Sequence, residues 1–202
     1  MPQPFESAVM TLEGEKLLAR ASAGLCKPVY MYMAVGNGSY SASEKQKATL
    51  KVRTGLKAEK NRYAFSDMYV DNKNRILLTS LITNYDQVKQ EAVITSGYYV
   101  NEIGIYAKEE GQADSEAALI SICVTASESG NGDFMPPYDG NNATTITQGY
   151  YLTVNDEANV IVNTSGAALL KEDANIIMDD DTKKLYKLGI KSGKLYYQEV
   201  VK

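Results

Sequence analysis

Histidine and tryptophan are both missing from this chain of 202 residues, and cysteine occurs only twice. Without an imidazole there is no catalytic triad with a histidine base. Two cysteines with no histidine also cannot build a zinc site of the usual Cys/His kind. Cys123 stands in the apolar run 117–124, where a thiol behaves as a small buried hydrophobe, so it and Cys26 are both expected as free thiols. No apolar stretch approaches the roughly 18 residues of a membrane-spanning helix. The opening Met1-Pro2-Gln3-Pro4-Phe5-Glu6 has neither the basic nor the apolar segment of a secretory leader, which predicts a protein made and kept in a cytosol with no membrane partner. Positive charge is in short supply as well. The net charge is −4, whereas binding a phosphate backbone requires a concentrated Lys/Arg surface, so nucleic acid is not an expected partner. The one local basic excess, residues 45–62, has no aromatic interleaved and reads as a solvated face or loop.

A chain of this length suits one domain plus a small appendage, and it can bury about 70% of the surface its unfolded form exposes. Thr11 is placed to cap a helix over residues 11–23, with Glu13 and Glu15 in its first turn, Leu17, Leu18 and Ala21 on its buried stripe and Gly24 as the left-handed stop. Residues 29–35 are apolar on both faces and suit a central strand that Gly36-Asn37-Gly38 ends. Further strands are expected over 75–83, 98–108, 117–125, 145–154 and 160–163, the last two as a hairpin. Residues 127–142, rich in Ser, Gly, Asn and Pro, read as a long exposed loop. Beyond residue 165 the character changes. Asp179-Asp180-Asp181 makes a solvated break, and residues 185–200 form a β-hairpin signal with Ser192-Gly193 at the turn. The predicted fold class is α+β, mainly antiparallel β-sheet with one N-terminal helix plus a small C-terminal β-hairpin. The domains are residues 1–165, and 166–202 as a linker and hairpin.

No set of side chains in the sequence composes a catalytic constellation. Gly36-Asn37-Gly38 lacks the third glycine and the following helix of a dinucleotide cradle and reads as a structural turn. Ser22 and Ser192 have neither a base nor a nucleophile elbow around them. Glu102 is the best acid candidate, on a strand face shared with Tyr98, Val100 and Tyr106. A glycosidase would need a second carboxyl about 5 to 10 Å away, and none is nominated, so Glu102 is expected to accept hydrogen bonds from backbone or tyrosine hydroxyls. No catalytic residue, metal or cofactor is expected. Tyrosine is frequent, with 15 copies against three phenylalanines. One reading is strand propensity on partly exposed sheet faces. The other is that Tyr98, Tyr99, Tyr150, Tyr151, Tyr196 and Tyr197 include anchors of protein interfaces.

Three segments carry a resemblance to a known family. Thr11-Leu12-Glu13-Gly14 is similar to a Leu-Thr-x-x-Gly opening, Ala34-Val35-Gly36-Asn37-Gly38 is a strand ending in Gly-x-Gly, and Glu102-Ile103-Gly104-Ile105-Tyr106-Ala107 is a Glu-Ile-Gly-aromatic-Ala strand. Their order and spacing resemble the N-terminal, baseplate-attaching domain of phage tail-collar fibre proteins, over residues 11 to about 165. Thr11, Gly14, Gly36, Gly38, Glu102 and Gly104 are the structural positions of that resemblance.

The resemblance implies a non-enzymatic part of a phage tail or phage-tail-like particle. Such a part attaches a fibre to the baseplate or caps it, is made in the bacterial cytoplasm, and is partnered by baseplate and other tail-fibre proteins as a homotrimer. The hairpin suggests where copies meet. A two-residue turn sets Ile190 opposite Leu195, Leu188 opposite Tyr197 and Tyr186 opposite Glu199, so Tyr186, Leu188, Ile190, Leu195 and Tyr197 form a candidate oligomer interface. The alternative is a module that recognises a cell-surface glycan through its tyrosine-rich strands and the Asn/Asp-rich loop 130–142.

Overall fold

The computed structural model describes residues 5–71, 75–126, 132–141, 143–153, 176–178, 182, 184–191 and 194–199. The chain divides into two compact units, Met1–Thr164 and Ser165–Lys202. In chain order the first unit runs β1 (Val9–Met10), α1 (Leu12–Ser22), β2 (Pro28–Gly36), α2 (Lys47–Lys51), β3 (Glu59–Tyr63), β4 (Phe65–Val70), β5 (Arg75–Thr83), β6 (Tyr85–Asp86), β7 (Glu91–Ala92), β8 (Tyr98–Val100), β9 (Glu102–Glu109), β10 (Ala118–Val124), β11 (Asp133–Met135) and β12 (Thr145–Thr153). The second unit contributes β13 (Ile176–Met178), β14 (Leu185–Lys191) and β15 (Lys194–Glu199). The architecture is α+β and mainly antiparallel sheet.

The main sheet has the order β1-β10-β9-β2-β3, with every pair antiparallel. Its central strands are apolar on both sides because both sides are covered. On one face Met33, Val35, Ile103, Ile105, Ile120 and Cys123 join a core with Leu78, Ile82, Tyr150 and Leu152 of a second antiparallel sheet, ordered β12-β5-β4. On the other, Ala34, Tyr106, Leu119, Ile122 and Val124 pack with Tyr40 and Leu50.

Helix α1 seals one end of the main sheet. Thr11 Oγ1 accepts the Gly14 N–H at 3.1 Å and donates to the Leu119 carbonyl, so one hydroxyl both caps the helix and moors it to β10. At the other end Arg20 grips Glu109 of β9 in a two-bonded pair, 2.7 and 3.1 Å, and Gly24 takes the left-handed φ of +70°.

Several expectations need correction. The strand expected over 98–108 breaks at Asn101, whose N–H goes to the Gly36 carbonyl and whose carbonyl accepts from Thr125 N–H. This slip of one residue moves Tyr98 and Val100 into the core with Ile103 and Ile105 rather than onto the face of Glu102. Residues 127–142 are not wholly exposed loop. Met135 is fully buried, and β11 pairs with β8. The basic stretch 45–62 holds α2, the start of β3 and the buried Leu50. Strand β4 was not anticipated, because its residues from Ser66 on are exposed on both faces and show no alternation. The C-terminal hairpin is the core of a three-stranded sheet, with β13 as its third strand. The expected strand 160–163, the Asp179-Asp180-Asp181 break and the Ser192-Gly193 turn lie outside the described residues. Both cysteines are free, and burial pushes the Cys123 thiol well above its ordinary range. Among the described residues no helix is long and apolar enough to cross a membrane.

Candidate functional site

Two of the three motif segments, Ala34–Gly38 and Glu102–Ala107, meet in the main sheet, whereas the first begins α1. Strands β2 and β9 are neighbours, and Gly36 lies directly opposite Glu102. The Glu102 side chain is completely buried. One carboxyl oxygen, Oε1, accepts the backbone N–H of Gly38 at 3.0 Å and that of Ala58 at 2.7 Å. The other, Oε2, accepts the Lys57 N–H at 2.7 Å and the Tyr40 hydroxyl. A carboxylate offers about four lone-pair positions. All four are taken by the chain's own donors, which leaves none for a substrate.

The same carboxyl explains the glycines. A Cβ at Gly36 would stand 2.4 Å from Glu102 Oε1 and 2.5 Å from the Ala58 carbonyl, and one at Gly38 would stand 2.6 Å from Oε1. The Gly-x-Gly turn is therefore a seat for a buried carboxyl, not a phosphate cradle. Gly104, two residues on, makes room for the Leu119 and Leu56 side chains.

Tyr40 is the roof of this knot. Its ring is 3% exposed and lies beneath the Arg53 guanidinium and the Lys57 ammonium, 5.2 and 5.4 Å from the ring centre. Burial first, and then the bond to Glu102, raises its phenol well above the usual range. Above the knot is a cleft of about 800 Å³ lined by Ser39, Ser41, Glu44 and Lys57 among others. Its charged groups are already engaged. Lys57 Nζ bonds Ser39 O and Glu44 Oε1 at 2.7 Å each, and the Lys57 bond together with those from Ser41 pulls the Glu44 carboxyl down to about 2. Among the described residues no group of three or more His, Cys, Asp or Glu side chains is arranged to hold a metal ion.

Thr11 and Gly14 lie apart from the knot, at the start of α1. Ser22 ends that helix on the surface. Sequence reasoning did not single out Tyr40, Lys57, Ala58 or Asn101. Lys57 and Ala58 act through their backbone N–H groups, which no side chain advertises. Asn84 was also overlooked. It is fully buried and joins loops by donating to the Pro136 carbonyl at 3.2 Å and accepting from Thr144 N–H at 2.8 Å.

The tyrosines divide. Tyr98 and Tyr150 are core residues, not surface anchors, and Tyr151 is half-buried. Tyr99 and Tyr197 are 47% and 73% exposed. Tyr99 lies beside the exposed Phe134, ring centres 5.1 Å apart, and Tyr85 stacks on Tyr138 at 4.4 Å. In the second unit the register sets Ile190 opposite Leu195, Leu188 opposite Tyr197 and Tyr186 opposite Glu199. Tyr186 and Tyr197 meet edge to face at 5.6 Å. The side chains of Leu188, Ile190, Leu195 and Tyr196 lie outside the described residues.

Compared with models of known protein families, with curated proteins and with solved structures, the chain matches none.

Proposed function

We propose that this chain is a non-enzymatic structural component of a phage tail or phage-tail-like particle that attaches a fibre to the baseplate or caps it, working with baseplate and fibre proteins as a homotrimer. One observation supports the reading above others. The residues that carry the family resemblance are used for construction: Gly36, Gly38 and Glu102 lock two strands and a loop together, and every lone pair of the buried Glu102 carboxyl goes to the chain itself. The knot fixes the main sheet, and an attachment domain needs a rigid sheet more than a reactive pocket.

An affinity-tagged copy expressed in the producing cell should co-sediment with tails and label their baseplate end under negative stain. Recovery of the tag only away from particles, with particles that lack the chain carrying complete fibres, would reject the reading. The glycan-recognition alternative draws on the exposed Tyr99 and Phe134 rings, a surface on which a sugar ring can stack. Binding of the isolated chain to a glycan array would favour it.

A further inference from the structure

Asn37 is followed by Gly38, the pairing in which an asparagine side chain is most open to attack by the next backbone nitrogen, because glycine offers no Cβ to obstruct the approach. In that reaction the Gly38 nitrogen gives up its proton and bonds to Asn37 Cγ, the Cγ–Nδ2 bond breaks and ammonia leaves. Water then opens the resulting succinimide at either carbonyl to give aspartate or isoaspartate. The Gly38 nitrogen must be free, and the Asn37–Gly38 peptide must turn toward Cγ.

Here the first condition is not met, and hydrogen bonds on both sides of the peptide oppose the second. The Gly38 N–H is buried and donated to Glu102 Oε1 at 3.0 Å, the Asn37 N–H is held by the Ala58 carbonyl at 3.1 Å, and the Asn37 carbonyl accepts from Asn101 Nδ2 at 3.4 Å. The residue before this turn is pinned too, since Gly36 O accepts the Asn101 N–H at 2.9 Å. We propose that Asn37-Gly38 is a succinimide-forming modification site that the Glu102 carboxyl holds shut, so that conversion of Asn37 reports opening of the knot. The proposal rests on local geometry and holds whatever the chain assembles with.

The test incubates the full-length chain at mildly alkaline pH and follows Asn37 by peptide mass spectrometry. The native chain should convert Asn37 at least about tenfold more slowly than the same chain unfolded in urea, because reaction must wait for local opening. Glu102→Gln keeps an oxygen for Gly38 and should convert Asn37 more slowly than Glu102→Ala, which removes the acceptor and should convert Asn37 at least about fivefold faster than the wild type. Native and unfolded wild-type chains reacting at equal rates would overturn the proposal. So would a folded Glu102→Ala variant that converts no faster than the wild type.

Discussion

At the scale of single residues, Glu102 shows how a charged side chain earns a place with no solvent exposure. Burying a carboxyl is costly unless hydrogen bonds replace its water, and here three backbone N–H groups and a phenol do so. An amide in its place fits only with its NH2 on the Oε2 side, where the Tyr40 hydroxyl can turn from donor to acceptor but the Lys57 N–H loses the oxygen. Glu102→Gln should therefore lower the unfolding free energy by roughly 1–3 kcal/mol, read from urea denaturation. The tyrosines give a pH dependence. Burial lifts Tyr98 and Tyr106 to about 12, against about 10 when unfolded, and raises Tyr40, Tyr63 and Tyr150 as well. The folded state thus holds these phenol protons more tightly. The stability they contribute is complete below pH about 10 and falls as pH rises through the folded values near 12. In an ultraviolet titration a subset of tyrosines should stay un-ionised past pH about 11 and then ionise together with unfolding. Simple titration of all fifteen near pH 10 with the fold intact would contradict the assigned burial.

At the scale of elements, helix α1 carries a local conflict with a visible resolution. Gly14 in its first turn costs about 1 kcal/mol of helix propensity relative to alanine. Yet a Cβ there would stand 2.1 Å from the Ile120 carbonyl and 2.6 Å from Met10 Sδ, and the carbonyl belongs to a strand that cannot swing aside. Gly14→Ala should thus destabilise by about 1–3 kcal/mol in spite of the better propensity. A gain in melting temperature would show that the helix stands further from β10. The elements legible in the sequence were those whose pattern serves one environment throughout: α1 with its cap and stop, β2 apolar on both faces, and β5, β10 and β12. The others were hidden for physical reasons. Strand β4 is an exposed edge, so no burial shapes its residues. The pairing of β11 with β8 lies in a turn-rich stretch where Met135 is the buried residue. The change of face at Asn101 costs one residue in a run that is apolar on either side, which periodicity does not register. The knot was half legible. Gly36, Gly38 and Glu102 stood out, but their partners at Lys57 and Ala58 are backbone groups brought in by a loop.

At the scale of the whole molecule, the second unit raises the question of what covers it. Its sheet β13-β14-β15 has Tyr186 and Tyr197 packed edge to face, with Tyr197 73% exposed, and Lys184 pairs with Glu199 at 3.0 Å. A sheet this small is marginal in water unless a face packs against something. Copies around a cyclic axis would cover the same face in each. The hairpin register places Leu188 opposite Tyr197 at the middle of the ladder. We therefore predict a homotrimer to which the second unit contributes contact. Deleting residues 180–202, or the change Leu188→Asp, should reduce the light-scattering mass toward that of one chain while circular dichroism and the melting of the first unit stay as they were. A trimer that persists after both changes would place the contact in the first unit instead. The candidate there is β4, at the edge of the sheet β12-β5-β4, whose Met68 and Val70 are exposed.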